Sequence, residues 1–254
     1  MEFSDLSKQE KDRIDAAARA LQNMAWSYVI PLRIITVKDN AEVAFNSATG
    51  FVMRLNGHLY VGTAWHVVQT FMARRREGED VLLLARDTPL EPLQVAFIDE
   101  PNDIVFLRLP DDCLANLQAE AYDPGPRWPP RVVTTDDVVL LCGLPAYIRG
   151  EPDSGEILFG DFSICQPVSS VGAGYFVLQM ERENWENLGR VPMPGADVFL
   201  GGLSGAPVFV MDDLSYPLVG VVSQIGDTLP LLYVRTFNAL PLTFEQPAPE
   251  PTDS

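Results

Sequence analysis

The residues best suited to chemistry lie in a glycine-rich segment, residues 201–207, which contains a single serine, Ser204. Glycine permits backbone conformations with positive φ and leaves no side chain to block a close approach. Such a segment can turn two consecutive N–H groups toward one point beside an exposed hydroxyl, as an acyl-transfer nucleophile with an oxyanion hole requires. An ordinary turn between two strands has the same composition. The segment therefore predicts a nucleophile only if the chain also supplies a base and an acid.

The candidate base is one of only two histidines in the chain. His66 lies where an apolar strand, residues 58–64, gives way to a predicted helix of residues 67–76, and catalytic groups are often presented where strands end. The other histidine, His58, adjoins a predicted turn and should be exposed to solvent. The structural alternative for His66 is a partly buried imidazole that bonds only to the backbone.

The candidate acid is Asp103, which comes directly before the apolar strand of residues 104–109. A carboxylate at the mouth of a strand is well placed to accept a hydrogen bond from a histidine N–H. The alternative is a turn aspartate that binds its own backbone.

Composition restricts the partners and compartments to be considered. The 254 residues carry a formal net charge of −17, a field that repels phosphate backbones and disfavours nucleic acid or an anionic membrane as a partner. No apolar run approaches membrane-spanning length, and the acidic start of the chain does not resemble a secretory leader. We therefore expect a soluble, cytoplasmic protein.

The cysteine pattern disfavours a metal site. Cys113, Cys142 and Cys165 are widely spaced, and no pair has zinc-site or redox-motif spacing. We expect neither a bound metal nor another cofactor.

Residues 4–25 are predicted to form a helix. Ser7-Lys8-Gln9-Glu10 has the spacing of a capping box. The apolar residues of one helical face are Ile14, Ala17, Ala18, Leu21 and Ala25. This face packs on the helix's own domain in the simpler interpretation, whereas in the alternative the helix recruits a regulatory protein.

Short strands dominate the rest of the chain. Asn56-Gly57 between two apolar runs predicts a tight hairpin. Pro31 within the first strand, residues 29–37, favours an edge position for that strand. The other predicted strands are residues 81–85, 93–98, 104–109, 138–142, 157–165, 175–180, 208–211, 218–223 and 231–234.

The strands divide into two groups of about six, and this division predicts the domains. Residues 123–131 are rich in proline and form a predicted exposed linker. The predicted divisions are a helical extension at residues 1–25, a first β-domain at 26–122, the linker at 123–131, a second β-domain at 132–245 and a disordered acidic tail at 246–254. Such strand patterns are typical of barrels or sandwiches, and a cleft between two units is a common ligand site.

Several segments together resemble the chymotrypsin/trypsin-like serine peptidases, particularly the bacterial Deg-type catalytic domains. The similar segments, in the family's order, are Ala-Thr-Gly-Phe-Val at 48–52, Thr-Ala-Trp-His-Val-Val at 63–68, Asn-Asp-Ile-Val-Phe-Leu at 102–107, Gly-Leu-Ser-Gly-Ala-Pro at 202–207 and Gly-Val-Val-Ser at 220–223. They span most of the chain. The resemblance implies an all-β fold of two six-stranded antiparallel barrels with the site between them.

The same resemblance assigns roles to residues. Ser204 would be the nucleophile, His66 the general base and Asp103 the residue that orients the histidine. The backbone N–H groups of Gly202 and Ser204 would form the oxyanion hole. Val198 and Ser223 would border the primary substrate pocket, and with no acid at position 198 we expect a small or medium apolar residue before the scissile bond.

These features predict a serine endopeptidase acting on proteins or peptides through an acyl-enzyme. An unrestrained peptidase would be harmful in the cytoplasm. A further hypothesis is therefore that the enzyme is latent until a partner orders the loop that forms the oxyanion hole. The alternative function is a catalytically silent trypsin-like module that recognises other proteins. An esterase is a third candidate, although Ser204 lacks the strand–turn–helix context of such enzymes.

Overall fold

The structure is a computed structural model that describes residues 7–38, 41–145, 161–179, 186–187, 202–212, 216–226 and 231–244. The helices are α1 (Lys8–Tyr28), α2 (Trp65–Arg76) and α3 (Leu114–Leu117). The strands are β1 (Val29–Lys38), β2 (Ala41–Leu55), β3 (His58–Ala64), β4 (Val81–Ala85), β5 (Thr88–Pro89), β6 (Val95–Asp99), β7 (Ile104–Leu109), β8 (Val138–Gly143), β9 (Phe162–Pro167), β10 (Ser170–Gly172), β11 (Tyr175–Gln179), β12 (Glu186–Asn187), β13 (Pro207–Val210), β14 (Leu218–Ile225) and β15 (Leu231–Thr236).

The strands form two antiparallel sheets, one from each half of the chain. The first has the order β5-β4-β1-β2-β3-β7-β6, and the second has the order β10-β11-β15-β14-β13-β8-β9-β12. Two such sheets with an N-terminal helix confirm the predicted chymotrypsin-like, all-β fold class. The described sheets hold seven and eight strands instead of six because short strands such as β5, β10 and β12 extend their edges.

The predicted hairpin joins β2 to β3. Asn56 and Gly57 both have positive φ, 51° and 81°, which a tight two-residue turn between right-handed twisted strands requires. The pairing runs from Leu55–His58 to Phe51–Gly62. This register brings the carboxyl end of β3 beside the middle of β2.

The predicted edge position of β1 is wrong. β1 lies inside the first sheet, between β4 and β2. Pro31 is tolerated because the ladder between β1 and β4 ends at the Leu32–Ala85 pair. Pro31 lies just beyond that pair, where it contributes only its carbonyl, which accepts the Arg86 N–H at 2.7 Å.

One hydrophobic cluster joins the two sheets. It contains Phe51 and Phe106 from the first sheet, Phe209 from the second, Phe237 directly after β15, and residues of α1. Two other clusters lie largely within the first and the second half of the chain. The sheets are therefore held together by shared apolar side chains as well as by the connecting chain.

The C-terminal half of α1 packs on the protein itself. Leu21 and Ala25 are buried, as the simpler interpretation predicts, whereas Ala17 is exposed. The side chains of Ile14 and Ala18 lie outside the described residues. The indole Nε1–H of Trp26 donates to Ser163 Oγ in the second sheet at 2.8 Å.

The proline-rich linker is only partly exposed, contrary to the prediction. Residues Gly125–Arg127 form a short 3-10 helix, and Trp128 is 5% exposed. The Trp128 Nε1–H donates to the carbonyl of Pro241 at 2.9 Å. Trp128 thus buries its large apolar ring although the segment around it is rich in proline. The predicted disordered tail, residues 246–254, lies outside the described residues.

Candidate active site

His66 is positioned by the junction of β3 and α2. β3 ends at Ala64, and His66 is the second residue of α2. Antiparallel pairing places Ala64 opposite Ile104, so the end of β3 lies beside the start of β7. Because Asp103 directly precedes Ile104, two elements distant in sequence bring the candidate base and acid together.

Asp103 binds His66 through both side chain and backbone. The His66 Nδ1 lies 2.8 Å from Asp103 Oδ2, and the His66 backbone N–H donates to Asp103 Oδ1, also at 2.8 Å. The Trp65 N–H donates to the Asp103 carbonyl at 3.0 Å. An Nδ1–H that donates to a carboxylate leaves Nε2 as the acceptor of the neutral ring. The contact therefore gives the imidazole the orientation and tautomer that a general base needs.

The backbone at Asp103 is in a left-handed conformation, with φ of 53°. Aspartate tolerates this region better than most residues. The conformation allows one residue to accept from Trp65 through its carbonyl and from His66 through its carboxylate.

Ser223 completes the surroundings of the carboxylate. Its hydroxyl donates to Asp103 Oδ2 at 2.6 Å. Burial alone raises the pKa of Asp103, but the hydrogen bonds from the His66 ring, the Ser223 hydroxyl and the His66 N–H outweigh it, so the pKa lies below its ordinary value. Asp103 is therefore a carboxylate at neutral pH.

The segment that carries Ser204 is fixed by hydrogen bonds to both sheets. The Gly205 N–H donates to the Val222 carbonyl at 2.8 Å, and the Val222 N–H donates to the Ala206 carbonyl at 2.9 Å. The Ser204 carbonyl accepts the Thr49 N–H of β2 at 2.9 Å. Since Val222 precedes Ser223, adjacent residues of β14 support the segment that carries Ser204 and the carboxylate of Asp103.

Glycine is required at position 205 for two reasons. Its φ is +82°, and a Cβ there would lie 2.1 Å from Thr63 Oγ1 and 2.2 Å from the Thr49 carbonyl oxygen. Gly202 also has a positive φ, 95°. The glycines of the segment thus provide both the turn and the close approach that the sequence predicted.

His66 and Ser204 line one cavity of about 140 Å³. Its other lining residues are Leu32, Ile34, Asn46, Ser47, Ala48, Val67 and Thr70. The His66 side chain is 45% exposed, whereas that of Asp103 is only 18% exposed. The imidazole therefore faces the open cavity with Ser204, and the carboxylate lies on its sheltered side.

The structure brings together most of the predicted site residues. His66 and Asp103 are in contact, Ser204 shares the cavity of His66, and Gly202 belongs to the described part of the segment that carries Ser204. Ser223, predicted at the substrate pocket, binds Asp103. Val198, the other predicted pocket residue, lies outside the described residues, and the preference before the scissile bond stays a prediction.

Two other features bear on function. Within the described residues, no group of three or more His, Cys, Asp or Glu side chains is arranged to hold a metal ion. No helix in the same part of the chain combines the length and apolar character needed to cross a membrane.

Comparison with known proteins gives matches at the level of structure. No protein-family model and no curated protein matches the chain. Among solved structures, it is similar to the thermostable serine protease AL20 from an extremophilic microorganism, with 13% identity and a TM-score of 0.47 over 84% of this chain and 93% of that chain. It is also similar to the protease Anisep from Arthrobacter nicotinovorans, with 15% identity and a TM-score of 0.46 over 83% and 90% of the two chains. For the tobacco vein mottling virus protease, the identity is 12% and the TM-score 0.44 over 82% and 76%.

Proposed function

We propose that this chain is a serine endopeptidase with Ser204 as nucleophile, His66 as general base and Asp103 as the orienting acid. The observation that carries the proposal is the 2.8 Å contact between His66 Nδ1 and Asp103 Oδ2, beside a cavity that His66 shares with Ser204. A histidine that is oriented in this way, and that lines the same cavity as a serine in a glycine-rich segment, is suited to nucleophilic catalysis.

The proposed acylation step begins with attack of Ser204 Oγ on the scissile carbonyl carbon. The serine proton passes to His66 Nε2, and the carbonyl electron pair moves onto oxygen. When the tetrahedral intermediate collapses, the carbon–nitrogen bond breaks and His66 returns the proton to the leaving amine. Asp103 stays ionised and stabilises the imidazolium, consistent with its lowered pKa.

Deacylation repeats these steps with water. His66 takes a proton from the attacking water, the acyl carbon–Oγ bond breaks, and Ser204 recovers its proton. In both halves the developing oxyanion is bound by the backbone N–H groups of Gly202 and Ser204. Donors of this kind each contribute about 10²- to 10³-fold to turnover.

The proposed substrate is a protein or peptide. Apolar side chains, among them Leu32, Ile34 and Val67, line the cavity beside Ser204. Such a surface favours an apolar substrate residue next to the scissile bond, because its burial releases water from both partners.

Labelling with a fluorophosphonate probe tests the proposal. The Ser204 Oγ–phosphorus bond forms as the phosphorus–fluorine bond breaks, and His66 takes the serine proton. We expect the wild type to be labelled at Ser204, with loss of labelling in Ser204→Ala and a fall of about 10⁴-fold in its rate in His66→Ala. Mass spectrometry of the modified peptide identifies the site.

The second histidine offers a matched control. His58 is exposed and contacts Arg108. His58→Ala should therefore be labelled like the wild type. A folded wild-type protein that takes up no probe, or a label on a residue other than Ser204, contradicts the peptidase proposal.

Latency and a cytoplasmic location are further parts of the proposal. Cys113 and Cys142 are buried thiols, which is consistent with a reducing compartment. Positions 16, 17, 19 and 20 of α1 are exposed and offer a surface for a regulatory protein. Rapid cleavage of casein by the purified chain alone would contradict latency.

A further inference from the structure

Thr49 attaches the proposed nucleophile segment, residues 202–207, to the first sheet. Its backbone N–H donates to the Ser204 carbonyl at 2.9 Å, and its hydroxyl donates to the Gly202 carbonyl at 2.8 Å. Two hydrogen bonds from Thr49 therefore hold the carbonyl groups of Gly202 and Ser204, the residues on either side of Leu203. These carbonyls belong to the same short stretch whose N–H groups are the proposed oxyanion donors.

The Thr49 hydroxyl also binds the second sheet. It accepts the backbone N–H of Leu144, which directly follows β8, at 2.9 Å. One hydroxyl thus connects β2, the end of β8 and the nucleophile segment. Thr49 is fully buried, so water does not replace these bonds if the hydroxyl is removed.

The position of Thr49 is itself held firmly. Its carbonyl accepts the Thr63 hydroxyl at 2.9 Å, and both threonines lie within 2.2 Å of the place where a Cβ on Gly205 would be. This packing leaves the nucleophile segment little room to shift toward β2.

We infer that Thr49 is a positioning residue for the oxyanion hole, acting through the carbonyl groups of Gly202 and Ser204. The inference rests on the proposed peptidase function for its catalytic consequence. A peptide carbonyl fixed by a hydrogen bond also fixes the plane of the next N–H. The Thr49 hydroxyl therefore fixes the peptide group after Gly202, and the Thr49 N–H fixes the peptide group after Ser204. These two peptide groups flank the one that carries the Ser204 N–H.

The test compares three variants with the wild type. Thr49→Val removes the hydroxyl and keeps the shape of the side chain, whereas Thr49→Ser keeps the hydroxyl. Ser163→Ala is the matched control because it also removes a fully buried hydroxyl, one that accepts from Trp26 on the α1 side of β9. Thr49→Ala replaces Thr49→Val if the latter does not fold.

The first readout is the second-order rate of fluorophosphonate labelling of Ser204 as a function of pH. We expect Thr49→Val to be slower by about 10- to 100-fold, because misplacement of the oxyanion donors costs this much. Thr49→Ser and Ser163→Ala should stay near the wild-type rate. The midpoint of the pH profile should not move in Thr49→Val, since the hydroxyl bonds neither His66 nor Asp103.

The second readout does not depend on activity. Hydrogen–deuterium exchange of the peptide containing residues 202–206 should be faster in Thr49→Val by about 10-fold, and unchanged in Ser163→Ala. Equal exchange in Thr49→Val and wild type overturns the inference, as does equal slowing of labelling in Thr49→Val and Ser163→Ala. If exchange responds as expected but the wild type takes up no probe, the positioning role stands and the peptidase function fails.

Discussion

At the scale of single residues, the site depends on one carboxylate that has three separate donors. Asp103 accepts from the His66 ring, the His66 N–H and the Ser223 hydroxyl. Such bonds favour the ionised form and lower the pKa below the ordinary value of 3.8. The carboxylate therefore contributes both to the orientation of the histidine and to the stability of the fold.

Replacement of Asp103 with asparagine should separate these two contributions. At pH 7, Asp103→Asn should lower the rate of Ser204 labelling by about 10⁴-fold, because the wrong imidazole tautomer then faces the nucleophile. The variant should also have a smaller free energy of unfolding than the wild type at this pH. Labelling kinetics and urea unfolding measure the two effects.

The pH dependence of that stability difference follows from the lowered pKa. A carboxyl group with a lower pKa in the folded state stabilises the fold above the pKa of the unfolded state, and this contribution is lost as pH falls through the folded value. The difference between wild type and Asp103→Asn should therefore shrink below about pH 3.8. A difference that stays constant from pH 7 to pH 2 would contradict this account.

At the scale of elements, α1 is held by a polar contact as well as by its narrow apolar face. Leu21 and Ala25 are buried in the core, and the Trp26 indole also donates to Ser163 Oγ at 2.8 Å. The Gln22 amide lies 3.4 Å from the same oxygen. The helix is thereby attached to β9, across the cluster that joins the two sheets.

Trp26→Phe should lower the free energy of unfolding by about 1–2 kcal/mol, because the variant keeps an aromatic ring and loses the donor to a buried hydroxyl. Urea unfolding followed by circular dichroism measures the loss. Asn23→Ala, at an exposed position of the same helix, should change stability by less than about 0.5 kcal/mol. Equal stability of the Trp26 variant and the wild type would show that the contact contributes nothing.

At the scale of the whole molecule, the aromatic cluster couples the two sheets. Phe237, which follows β15 of the second sheet, is fully buried. The centroid of its ring lies 6.0 Å from the ring centroid of Phe51, 5.7 Å from that of Phe106 and 5.8 Å from that of Trp128. Ser204 comes shortly before β13 of the second sheet, whereas His66 and Asp103 lie at the ends of β3 and β7 of the first. The alignment of the site therefore depends on this contact between the sheets.

Phe237→Ala should lower the free energy of unfolding by about 3–5 kcal/mol, because it removes a large ring from a close-packed cluster. The variant should still unfold in a single transition, with the same midpoint by far-UV circular dichroism and by tryptophan fluorescence. Leu242→Ala, at a 65% exposed position, is the control and should have little effect. Two separate transitions in the wild type would contradict the coupling of the sheets.

The sequence by itself determined the local structure and the identity of the candidate residues. The Asn56-Gly57 turn, the helix after His66 and the strand after Asp103 follow from residue types that favour one backbone conformation. The glycines around Ser204 likewise predicted positive φ and a close approach. These features depend on residues that are close together along the chain, so they can be predicted from the order of residues alone.

The tertiary structure alone decided which distant groups meet. No local pattern shows that Ser223 donates to Asp103, that Thr49 binds the segment that carries Ser204, or that β1 lies inside its sheet. A threonine and a serine, each within an apolar strand, were the only signals available. Hydrogen bonds between strands far apart in sequence depend on sheet order and register, which the whole set of side chains determines collectively when the core packs.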